Sequence, residues 1–176
     1  MMNRRLLLSS SMAVAATGLA GCASPRVQDY AGQKPQLDLR TYFNGMVDAW
    51  GMFTDRQGKV VKRFTVEMKC QWQGNQGVLD EDFVYSDGST EKRIWTLTDH
   101  GQGRYSGTAG DVVGTAEGQV QGNAFQWQYT LALPVDGKLW HVQMDDWMFL
   151  MNERVMLNKA RMDQPRRVKD RVTSPR

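Results

Sequence analysis

The sequence predicts an all-β domain: a single antiparallel up-and-down β-barrel of about nine strands, in the calycin or lipocalin sense. Three observations predict it. Apolar and polar residues alternate with period two over most of residues 46–162. Turn-forming residues recur at regular spacing between the alternating stretches. The links are short throughout, which favours a meander over a Greek key. Alternation also implies one buried face and one wet face. Closing a meander on itself removes its exposed edges.

The elements follow in order. Asp38 is placed to cap a short helical turn running through Tyr42. Strands are expected over 46–53, 60–72, 78–85, 92–98, 104–109, 114–121, 123–133, 138–146, 147–151 and 155–162. The clearest is 60–72, where Phe64, Val66, Met68, Cys70 and Trp72 alternate with Arg63, Thr65, Glu67, Lys69 and Gln71. Phe125, Trp127, Tyr129, Leu131 and Leu133 do the same against Gln126, Gln128 and Thr130. The turns include Asp55-Arg56-Gln57-Gly58, Ser86-Asp87-Gly88, Gly101-Gln102-Gly103 and Asp136-Gly137. The polar faces carry Lys, Glu, Gln and Asp, so the barrel is apolar inside and wet outside, opposite to a porin. Gly107, Ala109, Gly114, Ala116 and Gly118 form a run of small residues. They mark either tight packing of the sheet or a wall thinned for a ligand.

Residues 1–21 read as an export signal rather than as fold. Arg4 and Arg5 precede a short uncharged stretch rich in Leu, Ala and Ser, too short to span a bilayer stably. The stretch ends in Leu19-Ala20-Gly21-Cys22. This resembles the lipobox of bacterial lipoproteins, in which the Cys thiol carries diacylglycerol and the freed amine a further acyl chain. Three chains exceed what stable anchoring needs. Ala23 after the Cys resembles the outer-membrane class, with the domain facing the periplasm. Asn3-Arg4-Arg5-Leu6-Leu7-Leu8 partly resembles a twin-arginine signal, although general secretion fits better. Residues 22–36 then read as a lipidated tether, 37–162 as the barrel and 163–176 as a basic tail.

The 22 basic and 19 acidic residues mislead if taken together. Two basic residues lie in the signal, and six basic and two acidic residues lie in residues 161–176. The body therefore holds 14 basic and 17 acidic residues, which excludes a basic face for nucleic acid. The tail reads as solvated, with contact to anionic lipid phosphates as the other reading. Of two cysteines, Cys22 is used by acylation, so Cys70 has no intramolecular partner and packs as a small hydrophobe. Nothing in the sequence calls for a cofactor or metal. It has two histidines, His100 and His141, and no glycine-rich phosphate cradle, nucleophile elbow or His-Glu-x-x-His motif.

Several stretches carry a resemblance. They include Asp80-Glu81-Asp82-Phe83-Val84-Tyr85-Ser86-Asp87-Gly88, Arg93-Ile94-Trp95, Tyr105-Ser106-Gly107-Thr108-Ala109-Gly110-Asp111, Leu131-Ala132-Leu133-Pro134-Val135-Asp136-Gly137 and Asp145-Asp146-Trp147-Met148. From about Leu39 to Met162 the chain resembles a family of Gram-negative envelope lipoproteins catalogued as a domain of unknown function. The resemblance implies an envelope lipoprotein, a calycin-like fold and no assigned activity. The family continues past the last strand, whereas here Asp163-Gln164-Pro165-Arg166-Arg167 stands in that place.

Charges on the apolar face give the candidate site. Glu81 is in phase with Leu79 and Phe83, and Arg93 with Trp95 and Leu97. A turn at Asp87-Gly88-Ser89 would set Phe83 opposite Arg93 and Glu81 opposite Trp95, making Glu81 and Arg93 diagonal neighbours. Buried charges demand partners. The pair is then either a structural ion pair or a polar anchor. As an anchor, Arg93 would meet a ligand carboxylate or phosphate, while Phe83, Trp95, Trp127 and Tyr129 hold an apolar body. Asp146 points inward and His141 outward, so a hydrolase built on these two is the weakest reading. Asp111 reads as a turn residue. The leading expectation is a non-enzymatic carrier or sensor binding an apolar or amphiphilic envelope molecule. The rival is a structural or assembly module with a filled core and a protein partner.

Overall fold

The computed structural model describes residues 24–163 and 166–167. The expected signal segment, the expected acylation site Cys22 and all of the tail save residues 163, 166 and 167 lie outside the described residues. The period-two alternation becomes nine antiparallel strands in one strongly curled half-barrel sheet. They are β1 (Gly45–Thr54), β2 (Val60–Gln73), β3 (Gln76–Tyr85), β4 (Thr90–Asp99), β5 (Arg104–Thr108), β6 (Ala116–Gln121), β7 (Ala124–Val135), β8 (Lys138–Leu150) and β9 (Met156–Met162). Each strand pairs with the next in sequence, so the up-and-down order is as expected. Arg166–Arg167 continue along the same edge of β8, opposite His141 and Trp140. The ring stays open: among the described residues β1 pairs with β2 alone and β9 with β8 alone.

The turn chemistry acts as read. Asp55 Oδ1 accepts from the backbone N–H groups of Gln57 and Lys59 (2.9 and 3.0 Å). Asp136 and Gly137 both have positive φ (49° and 70°), as a two-residue hairpin of type I′ requires. Asp38 caps α1 (Leu39–Tyr42), accepting from Arg40 N at 2.8 Å and Thr41 N at 3.3 Å.

Two boundaries move, for one reason. The sequence expectation is of separate strands over 138–146 and 147–151; in the fold Asp146 and Trp147 are both buried, so alternation fails there without a break in the strand. They belong to the single strand β8. Alternation fails because the outer face is covered there too. Val27 and Tyr30 of a 3₁₀ turn (Val27–Tyr30) pack against Ala124, Trp147 and Phe149. Much of the expected tether is thus docked on the sheet. The chain then crosses to the concave side, where Leu37, Leu39 and Phe43 join the core. Trp72 Nε1 donates to the Phe43 carbonyl at 2.9 Å and Leu37 N to the Gly122 carbonyl at 2.8 Å. This segment stoppers the end that carries the β2–β3 and β6–β7 turns. The opposite end, with the β1–β2, β3–β4 and β7–β8 turns, is left open.

The small residues serve packing. A Cβ on Gly107 would stand 2.7 Å from Leu97 Cδ2 and 2.9 Å from Trp127 Cζ2, so the indole occupies that space. Past Thr108 the chain leaves β5 and forms a strap, residues 109–115. Val112 bridges to Leu131, Val113 N donates to the Thr130 carbonyl, and Ala132 N to the Asp111 carbonyl. The strap fills the gap that the curl opens between the ends of β4 and β7.

Candidate functional site

The β3–β4 hairpin sets the site. Its turn spans Ser86–Ser89, closed by Tyr85 N donating to the Ser89 carbonyl, and Val84 pairs with Thr90. The register is therefore slipped by two residues from the expected one. Glu81 lies directly opposite Arg93, Leu79 opposite Trp95, and Phe83 opposite Glu91. A slip of two keeps every side chain on its face, which is why the inward set survives.

Arg93 does not pair with Glu81. Its Nη2 donates to Asp111 Oδ2 at 2.6 Å, with Glu91 Oε1 3.6 Å away. The turn residue of the sequence reading is thus the partner, supplied by the strap and 18 positions away in sequence. Only the tertiary fold brings it there. The Arg93 guanidinium carbon also stands 5.6 Å above the Phe83 ring. Glu81 is left without an ion pair among the described residues. Burial pushes its carboxyl up to about 7; Arg93 opposes this, while Asp111, Glu91 and Asp146 add to it.

Deeper in, Trp95 meets Trp127 (ring centroids 5.6 Å, 65°) and Tyr129 (5.3 Å, 82°). All three rings are buried, so they mainly cover one another rather than wall an empty space. Tyr129 donates its hydroxyl to Asp146 Oδ2 at 3.2 Å. Asp146 is 8% exposed, and its Oδ1 has no donor among the described residues. Burial pushes this carboxyl up to about 6, against the pull of Tyr129 and Arg93. The seven residues proposed from the sequence — Glu81, Phe83, Arg93, Trp95, Trp127, Tyr129 and Asp146 — share the concave face. His141 lies on the other face of β8, in phase with Asp145 and paired with Ala132. Asp146 and His141 therefore project from opposite faces of β8 and do not converge on one substrate atom.

Toward the open end the concave face turns aromatic and partly exposed. Phe53 and Phe64 (5.1 Å), Phe64 and Phe83 (5.8 Å), and the stacked Phe83 and Tyr85 (6.0 Å) run in a row. Tyr85 donates to Glu91 Oε2 at 2.6 Å. Phe53, Phe64 and Tyr85 were visible in the sequence as in-phase aromatics, yet only the curl shows that they form one surface. The site thus holds one guanidinium and four carboxylates, those of Glu81, Glu91, Asp111 and Asp146. Among the described residues no three His, Cys, Asp or Glu side chains are grouped as metal ligands.

No curated protein and no solved structure matches this chain. A family model described as a protein of unknown function (DUF3833) matches residues 16–164, and the chain belongs to that family.

Proposed function

We propose that this protein is an outer-membrane lipoprotein, acylated at Cys22, that holds an apolar or amphiphilic envelope molecule at the open end of its half-barrel. The observation that carries the reading is the aromatic row Phe53–Phe64–Phe83–Tyr85, partly exposed on a concave face and running into a half-buried charged cluster. Such a surface suits an alkyl or aromatic body with one polar end. Charge selects that end. Arg93 Nη2 is already paired with Asp111 and four carboxylates outnumber its charge, so an anionic head is disfavoured even though Arg93 Nε has no acceptor among the described residues. A neutral or amine head would find Asp146 Oδ1, a buried acceptor without a donor among the described residues. The role is carriage or sensing, not catalysis. The family match begins at residue 16, so it includes Leu19-Ala20-Gly21-Cys22. Ala23 supports the outer-membrane address.

The test is native mass spectrometry of the protein extracted in mild detergent, before and after delipidation, with Phe83→Ala alongside. The expected result is a bound species that delipidation removes and the variant retains poorly. A clean protein mass under the gentlest conditions overturns the reading. It would favour an assembly module with a filled core, which the mutual burial of Trp95, Trp127 and Tyr129 supports.

A further inference from the structure

The β1–β2 hairpin outruns its neighbour. The last β2–β3 pair is Phe64 with Tyr85, while β1 and β2 continue through Met52–Arg63, Phe53–Lys62 and Thr54–Val60. Beyond β3 the hairpin is a bare two-stranded ribbon among the described residues. Trp50 (75% exposed) stands at its root, level with the Thr65–Val84 pair, and beyond it the outer face shows Met52 (62%) and Val61 (60%) and the inner face Phe53 and Val60. A lone ribbon is marginal in water, and apolar side chains on both faces make it more so.

The same tip is cationic. Arg56, Lys59 and Arg63 have no carboxylate within 4.0 Å among the described residues. The tip's own acid, Asp55, is turned onto the backbone of Gln57 and Lys59. A shallow groove of about 390 Å³ at the ribbon's root is lined by Trp50, Phe64, Val84 and Tyr85 among others. Exposed Trp beside long cationic side chains suits the border between acyl chains and headgroups. The unmatched positive charge of the turn complements an anionic bilayer surface, whose headgroups the long cationic side chains reach while the outer-face apolar groups lie just below.

We propose that the β1–β2 hairpin is a membrane-docking finger that lies with its outer face on the bilayer, Trp50, Met52 and Val61 among the upper acyl chains and Arg56, Lys59 and Arg63 on anionic phosphate headgroups. The finger acts whether or not the concave face carries a ligand.

The test uses the full-length chain on vesicles of phosphatidylethanolamine and phosphatidylglycerol, with and without acyl-brominated lipid. Subtracting the spectrum of Trp50→Phe isolates Trp50 from the other five tryptophans. Docking predicts a blue shift and loss of about half of the Trp50 emission on brominated vesicles. Replacing Arg56, Lys59 and Arg63 together with Gln should weaken the quenching and its salt dependence. An identical Trp50 spectrum on brominated vesicles, on plain vesicles and in buffer overturns the proposal. A chain held only through Cys22 would sediment with the vesicles and still leave Trp50 unquenched, as would a tip that binds protein.

Discussion

Replacing Glu81 with Gln should stabilise the fold at high pH and leave it almost unchanged at low pH. Glu81 rises from its ordinary 4.5 to about 7 in the folded chain, mainly because burial disfavours the charge. The folded state therefore holds this proton to higher pH than the unfolded chain does. Stability falls as pH climbs from about 4.5 to about 7, and the whole penalty is present above that window. At about 1.4 kcal/mol per tenfold change, the two values differ by roughly 3 kcal/mol. Glu81 is only partly shielded from water, so about 2 kcal/mol is the working expectation. Gln keeps the shape and removes the titration. Urea unfolding of parent and variant at about pH 4 and about pH 8 measures the difference. The variant should match the parent at the acid end and exceed it by about 2 kcal/mol at the basic end. Asp146 titrates in the same direction in both proteins and so enters the comparison only through its charge coupling to Glu81. A difference that is equal at both pH values would refute the reasoning, since Glu81 would then be either solvated or firmly paired.

Three other outcomes are expected. Arg93→Met should lower stability by about 2–3 kcal/mol, short of the full cost of a stranded buried charge because Asp111 is 28% exposed. Adding Asp111→Asn should recover more than half of that loss, and a double-mutant cycle that comes out additive would deny the pair. Gly107→Ala should cost about 1–3 kcal/mol in a urea melt, as the new Cβ meets Leu97 and Trp127. A neutral result would mean open space at that wall. Cys70, 4% exposed and with its thiol pushed by burial up to about 11, should react with thiol reagents only when the sheet opens. Labelling at the same rate with and without urea would contradict its burial.

Local pattern carried most of this fold. Period two placed the strands, and turns rich in Asp and Gly separated them, because both signals act within a few residues. What failed was non-local. The break expected at Asp146-Trp147 reflected cover by Val27 and Tyr30, more than a hundred positions earlier. The half-barrel's open edges could not be told from a closed ring, since closure depends on β1 meeting β9 rather than on any local residue. In the site, phase put the inward residues on one face, but the hydrogen-bonded partner of Arg93, Asp111, followed from the strap. A turn-forming Asp111 and an ion-pairing Asp111 look alike in sequence. The two-residue slip of the β3–β4 hairpin was equally silent, because it changes neighbours without changing faces.

The docked N-terminal segment has a mechanical consequence. Val27 is 3% exposed and lies five positions after Cys22. An acylated Cys22 would therefore hold the domain on a leash of at most about 18 Å, at ~3.5 Å per extended residue. Such a leash keeps the half-barrel near the headgroups and out of reach of the far side of the periplasm. Any tension on the anchor would first peel Val27 and Tyr30 from β8 before it reached Leu37 and Leu39. Release from the membrane and loosening of the stoppered end would then be successive stages of one pull.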